Sequence, residues 1–171
     1  MASSRQLISS QVLSSTAASV TFSSIPSTYK DLCLRITARS AGSSIRDMYL
    51  QVNSITANYS ATRLRGYDAT VSSSNRTADS SWIYGVVPGT LIAANTFSST
   101  EYYLPNYNSS ANKVCSMVVG EPNSSGTNQV DAVVANLLSN TAAITSLTLT
   151  ESSGSGFEIG SSFYLYGLKS S

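Results

Sequence analysis

The chain has 171 residues, ten basic and nine acidic, a net charge of +1 and no histidine. A chain of this length forms one domain that can bury its own core without disulfide staples. Hydrophobic residues make up 42 %, which argues against disorder even though only 11 % of residues are charged. The missing histidine removes Ser–His–Asp and Cys–His catalysis and the commonest transition-metal ligand, and near-neutral charge argues against a nucleic-acid binder.

The first twelve residues carry one base, Arg5, and the apolar Leu7, Ile8 and Val12. They contain no signal-peptide core, and no apolar run in the chain approaches membrane-spanning length. Residues 1–15 read as an N-terminal arm that reaches a neighbour or as a first strand packed on its own domain. Val20 and Phe22 then alternate up to Pro26. DLCLRITAR is the clearest strand. Leu32, Leu34, Ile36 and Ala38 face one way, and Cys33, Arg35, Thr37 and Arg39 the other. RDMYLQVN points Met48, Leu50 and Val52 inward. ANYSATRLRGYD alternates weakly, and VSSSNRTADSS reads as an exposed loop.

WIYGVV is a strand closed by the turn pair Pro88-Gly89. GTLIAANTF and EYYLPNY are strand candidates, the second ending near Pro105. NKVCSMVVG is a strand and EPNSSGTN a loop. QVDAVVANLLSN fits both a short helix and a strand. Val130, Val134, Leu137 and Leu138 share a helical face, while Val130, Ala132 and Val134 alternate. AITSLTLT, the turn ESSGSG, FEIG and SFYLYGL follow. In the last of these, Phe163, Leu165 and Gly167 face opposite to Tyr164, Tyr166 and Leu168. Nine to ten short strands with regular turns predict an all-β antiparallel sandwich with at most one short helix, occupying residues 1–171 as a single domain.

No pattern of catalytic residues emerges. Nine acids are spread along the chain without a clustered pair, and CxxC and zinc-ligand spacings are absent. GSGFEIG is followed by nothing helical and reads as a turn, not a phosphate loop. No cofactor, metal or catalytic residue is expected. Cys33 and Cys115 read as reduced, buried thiols, with a disulfide open only if their strands are neighbours. Residues 1–76 carry eight bases against three acids, and residues 77–171 carry two against six. This split is either solvated surface charge or a charge-complementary contact with an identical neighbour or larger assembly. Tyr102, Tyr103, Tyr107, Tyr164 and Tyr166 suit half-buried strands and could also form a sugar-stacking or protein-contact surface. The candidate interface residues are Arg5, Leu7, Ile8, Arg35, Arg39, Arg63, Arg65, Tyr102 and Tyr103.

Five stretches in order carry a resemblance: FSSIPSTYKDLCL, GVVPGTLIAANTF, YYLPNYNSSANK, SNTAAITSLTL and FYLYGLK. Together they resemble small virion structural proteins of tailed bacteriophages, many of them aquatic. The likeness runs from about Ser19 onward. It departs at QVNSITANYS, which lacks an acidic, glycine-rich turn, and at Leu138, where an aromatic residue is expected. The resemblance implies a jelly-roll-like sandwich in a homo-oligomer, a trimer before a dimer. A short chain without a fibrous shaft favours a capsid decoration (cement) protein. It would be made in the host cytoplasm and bound to the major capsid protein on the capsid exterior, with no nucleic-acid or membrane partner. The alternative is a tail-fibre or receptor-binding module that recognises a host surface glycan.

Overall fold

The computed structural model describes residues 5–67, 70–121 and 130–169. It contains twelve strands: β1 (Arg5–Val12), β2 (Val20–Phe22), β3 (Asp31–Ala38), β4 (Arg46–Val52), β5 (Tyr59–Tyr67), β6 (Thr70–Asp79), β7 (Trp82–Val87), β8 (Ser98–Leu104), β9 (Lys113–Glu121), β10 (Val130–Leu138), β11 (Leu147–Glu151) and β12 (Ser162–Leu168). They form two antiparallel sheets packed as a β-sandwich. The wide sheet has the order β1-β12-β3-β8-β9-β10-β5-β6, and the narrow sheet β2-β11-β4-β7. Among the described residues there is no helix.

The period-2 pattern sets which face of the wide sheet is covered. Leu32, Leu34 and Ile36 of β3 stand opposite Gly167, Leu165 and Phe163 of β12 on one side, and Leu104, Tyr102 and Thr100 of β8 on the other. The row continues through Met117 and Val119 of β9 to Val134 and Ala132 of β10. All of these are buried. They meet Met48, Leu50, Val52, Leu147 and Leu149 from the narrow sheet in one hydrophobic cluster. Each fully buried Leu, Met or Phe side chain contributes about 1.5–3 kcal/mol of transfer free energy. Trp82 is fully buried in this cluster. Its ring meets Tyr59 edge-on at 5.7 Å, and the Tyr59 hydroxyl accepts from Val52 N at 2.8 Å.

β12 closes the wide sheet between β1 and β3. Its inward position 167 is a glycine because Tyr29 lies across it; a Cβ there would come within 2.2 Å of the Tyr29 ring. The N-terminal segment is a strand on its own domain. β1 pairs with β12 from Arg5↔Leu168 to Val12↔Ser162, with a bulge between Leu7 and Ser9.

Three sequence expectations change, and one open alternative is resolved. VSSSNRTADSS is not a loop: most of it forms β6, the far edge of the wide sheet, paired to β5 with a bulge between Tyr59 and Ala61. Both of its faces meet solvent, so its polar composition carries no alternation. GTLIAANTF is not a strand; it is a run of turns before β8. FEIG contributes only isolated bridges from Phe157 to Ala17 and Ser40. QVDAVVANLLSN resolves to strand, because Val130–Leu138 is paired along its whole length on both sides, with β9 and β5. Most of EPNSSGTN lies outside the described residues. β8 stops at Leu104, directly before Pro105. Cys33 and Cys115 are both free and buried, and they cannot pair as placed. Cys33 sits on the outer-face register of β3, whereas Cys115 sits on the inner-face register of β9, with β8 between.

Glu151 fixes the turn that follows β11. It is 4 % exposed, and its carboxylate accepts from Ser153 N at 2.8 Å, Ser153 Oγ at 2.9 Å and Gly156 N at 2.8 Å. Burial alone would raise its pKa, but these hydrogen bonds outweigh burial and hold it below the ordinary 4.5. A lowered folded pKa means the stabilisation is complete above 4.5 and is lost as pH falls through the folded value. Thermal unfolding followed by circular dichroism down an acid series should therefore show a steeper loss for the native chain than for Glu151→Gln. At neutral pH the variant should be about 1–3 kcal/mol less stable.

Candidate interaction face

The narrow sheet covers only one face of the wide sheet, and the other face is divided in two. On the β9-β10-β5-β6 half, the outward register carries apolar side chains. Val118, Val133 and Leu64 lie directly opposite one another across three strands, and Val114 stands beside Leu137 two same-face steps along, beyond Ser116 and Ala135. Val118 is 58 % exposed, Val133 57 % and Leu64 56 %, and Val71 of β6 is more exposed still. Leu64, Val71, Val118 and Val133 line a shallow depression of about 420 Å³. The chain has 8046 Å² of accessible surface, close to the roughly 8,000 Å² expected of a well-packed monomer of its mass. The exposed valines are therefore not a sign of loose packing.

The β1-β12-β3-β8 half is polar and aromatic. Glu101 accepts ion pairs from Arg5 at 3.6 Å and Arg35 at 3.3 Å. These pairs are exposed and contribute at most about 1 kcal/mol. Tyr164 and Tyr166 stack with ring centroids 6.5 Å apart. The Tyr103 hydroxyl donates to Asp31 Oδ2 at 2.7 Å, and that bond raises the phenol pKa. Cys33 lies in register between Tyr103 and Tyr166, and burial, followed by the charge of Glu101, pushes its thiol up to about 11. At that value it is an unreactive thiol at neutral pH.

The structure gathers Arg5, Arg35 and Tyr103 onto this half-face. Leu7 is 49 % exposed at the edge, and Ile8 turns inward against the core. Two candidates are corrected. Arg39 is 4 % exposed: its guanidinium donates to the carbonyls of Ile92 at 2.8 Å, Ala93 at 2.9 Å and Thr96 at 3.0 Å, and it pairs with Glu158. It fastens the 89–97 segment to the sheet and offers nothing to a partner. Tyr102 is wholly buried on the inner face, where burial raises its pKa. Tyr107 is also buried, its hydroxyl bonded to the Pro26 carbonyl.

Arg63 and Arg65 lie apart from all of these. They occupy the inward register of β5, which extends the wide sheet past β7, the open edge of the narrow one. The Arg63 guanidinium lies 4.2 Å over the Tyr84 ring. The sequence reading missed Arg46 beside them and the whole valine row. The valines had a signal, since β9 and β10 carry apolar residues on both alternation phases, as a strand with two contact faces does.

No protein-family model matches the chain, and no curated protein is significantly similar to it.

Proposed function

We propose that the protein is a bacteriophage virion structural protein, most specifically a capsid decoration protein. It binds the major capsid lattice as a homo-oligomer and acts by adhesion, without turnover. The observation that carries this reading is the exposed row Val118–Val133–Leu64 on the uncovered face of the wide sheet. The strand order supports it. Without the β9–β10 hairpin and the β1–β12 pair, the sheets read β2-β11-β4-β7 and β3-β8-β5-β6, the arrangement of a jelly roll. That agrees with the ordered stretches that resemble phage virion proteins.

In this reading the apolar row packs on the lattice only when the shell presents the matching surface. A protein that binds one state of a shell selectively stabilises that state by mass action. Oligomerisation multiplies the attachment points, so modest single contacts give lasting occupancy. Copy number in purified virions, by quantitative mass spectrometry, should lie within a few-fold of the major capsid protein. Val118→Lys combined with Val133→Glu should abolish capsid binding in a sedimentation assay and shift the melting temperature by only a few degrees, since both side chains already face solvent and opposite charges across a strand pair do not repel. Capsid binding by that double variant equal to the native chain would reject this face. A copy number of a few per cent would favour the receptor-binding alternative, for which the stacked Tyr164–Tyr166 pair is the supporting feature.

A further inference from the structure

Beside β7, where the narrow sheet ends and β5 continues, lies a recess of about 380 Å³ lined by Ile45, Arg46, Asp47, Arg63, Arg65 and Val86. Among the described residues, three arginines and one aspartate line this hollow. Asp47 makes no ion pair with Arg46 or Arg63 within 4 Å, and neither arginine has a hydrogen bond from its side chain to any described residue. The Nε–H groups of both are buried without an acceptor. Half-burying a cation with no ion pair within 4 Å costs free energy, and here like charges are also held close together, with Asp47 offsetting them only in part. Burial, and next the neighbouring Arg65, lower the Arg63 pKa. By contrast, Arg76 just beyond is fully engaged in a two-bond fork with Asp79.

We infer that this recess is a binding site for a small oxyanion, a carboxylate or phosphate carried on a molecule up to about the size of a hexose. The inference is independent of the docking face, which lies on the opposite side of the wide sheet. Arginine forks match carboxylate and phosphate oxygens in pairs, so two or more around one hollow recognise such a group in preference to a halide or a neutral sugar. The volume is several times what a bare anion needs and falls at the lower end of small-ligand pockets, about 300–1,000 Å³. Ile45 and Val86 supply apolar wall for the uncharged body of the ligand. Tyr84 stays occupied, because Arg63 lies on its face and is held by it in a fixed orientation.

The test is calorimetric titration of the full chain at low salt with galacturonate, inorganic phosphate and galactose. Galacturonate should bind saturably, phosphate should compete with it, and galactose should not bind. Arg46→Gln and Arg63→Gln should each weaken galacturonate by about tenfold or more. Arg46→Gln leaves the Tyr84 stack in place, so it reports on binding even if Arg63→Gln loosens the fold. Absence of saturable galacturonate binding overturns the proposal, as does equal binding of galactose or binding unchanged in both variants. Binding of phosphate alone marks an adventitious ion only and overturns it too.

Discussion

Arg39→Ala should lower the unfolding free energy by about 3–5 kcal/mol, read as a shift of the urea midpoint at constant slope. The side chain is 4 % exposed and joins four groups at once: three carbonyls of the 92–96 segment and the Glu158 carboxylate. Removing it leaves the Ile92 and Thr96 carbonyls without their guanidinium donor and Glu158 without its cation. Three hydrogen bonds from a charged donor are lost together, while Glu158, whose side chain is 33 % exposed, regains only water in place of its cation. Arg39→Lys should recover only part of the loss, since an ammonium cannot reach all four acceptors with a planar fork's geometry. A surface role would give the opposite pattern, with native stability and impaired assembly. An unchanged midpoint would therefore return Arg39 to the interface.

Gly89→Ala should be severely damaging for a single added methyl. A Cβ at that position would stand 2.1 Å from the Ser44 carbonyl oxygen and 2.4 Å from that of Gly42. Both obstacles are backbone, which cannot rotate away. The contact is also where two loops interlock, with Thr90 N donating to Gly42 O and Leu91 N to Ser43 O, each at 2.8 Å. Making room would separate these strands of backbone and lose both bonds. Overpacking of this kind costs about 3 kcal/mol or more. Differential scanning calorimetry should show a melting temperature lower by roughly ten degrees or more, given about 2–4 °C per kcal/mol at this size. Gly154 provides the contrast: its added Cβ would touch nothing within 4 Å, so only its positive φ of 72° opposes substitution. Gly154→Ala should cost about 1 kcal/mol.

The sandwich was legible where one face of a strand is buried and the other is not. DLCLRITAR and SFYLYGL divided into two facing sets because burial imposes the alternation that was read, with Cys33 and Arg39 as exceptions, buried although they fall in the outward set. The reading failed at β6, an edge strand exposed on both faces, where pairing to β5 and not side-chain pattern makes the strand. It hesitated at β10, whose apolar residues on both phases imitate a helical face. The candidate site was less legible than the fold. Arg35 and Arg39 sit two residues apart on each side of Thr37 in one alternation set, yet one is solvated and the other enclosed. The enclosure comes from residues 89–97 and Glu158, which are distant in sequence. Arg46 belongs with Arg63 only because β4 and β5 lie in different sheets that meet at a step. Sequence spacing has no access to that meeting.

The two outermost strands of the wide sheet bear on what kind of object the protein can build. β1 and β6 each carry a bulge against their inner neighbour; β6 is dominated by serine and other small polar residues, and β1 carries Arg5 and two glutamines. Such rims are poor templates for another chain's backbone, so end-to-end polymerisation of sheets into fibres is disfavoured. Growth through the flat face, in contrast, stops once that face is covered. Under the function proposed above, a molecule whose wide sheet has blunted rims and one docking face would form finite contacts, coating a surface at high local concentration without cross-linking one coated particle to the next.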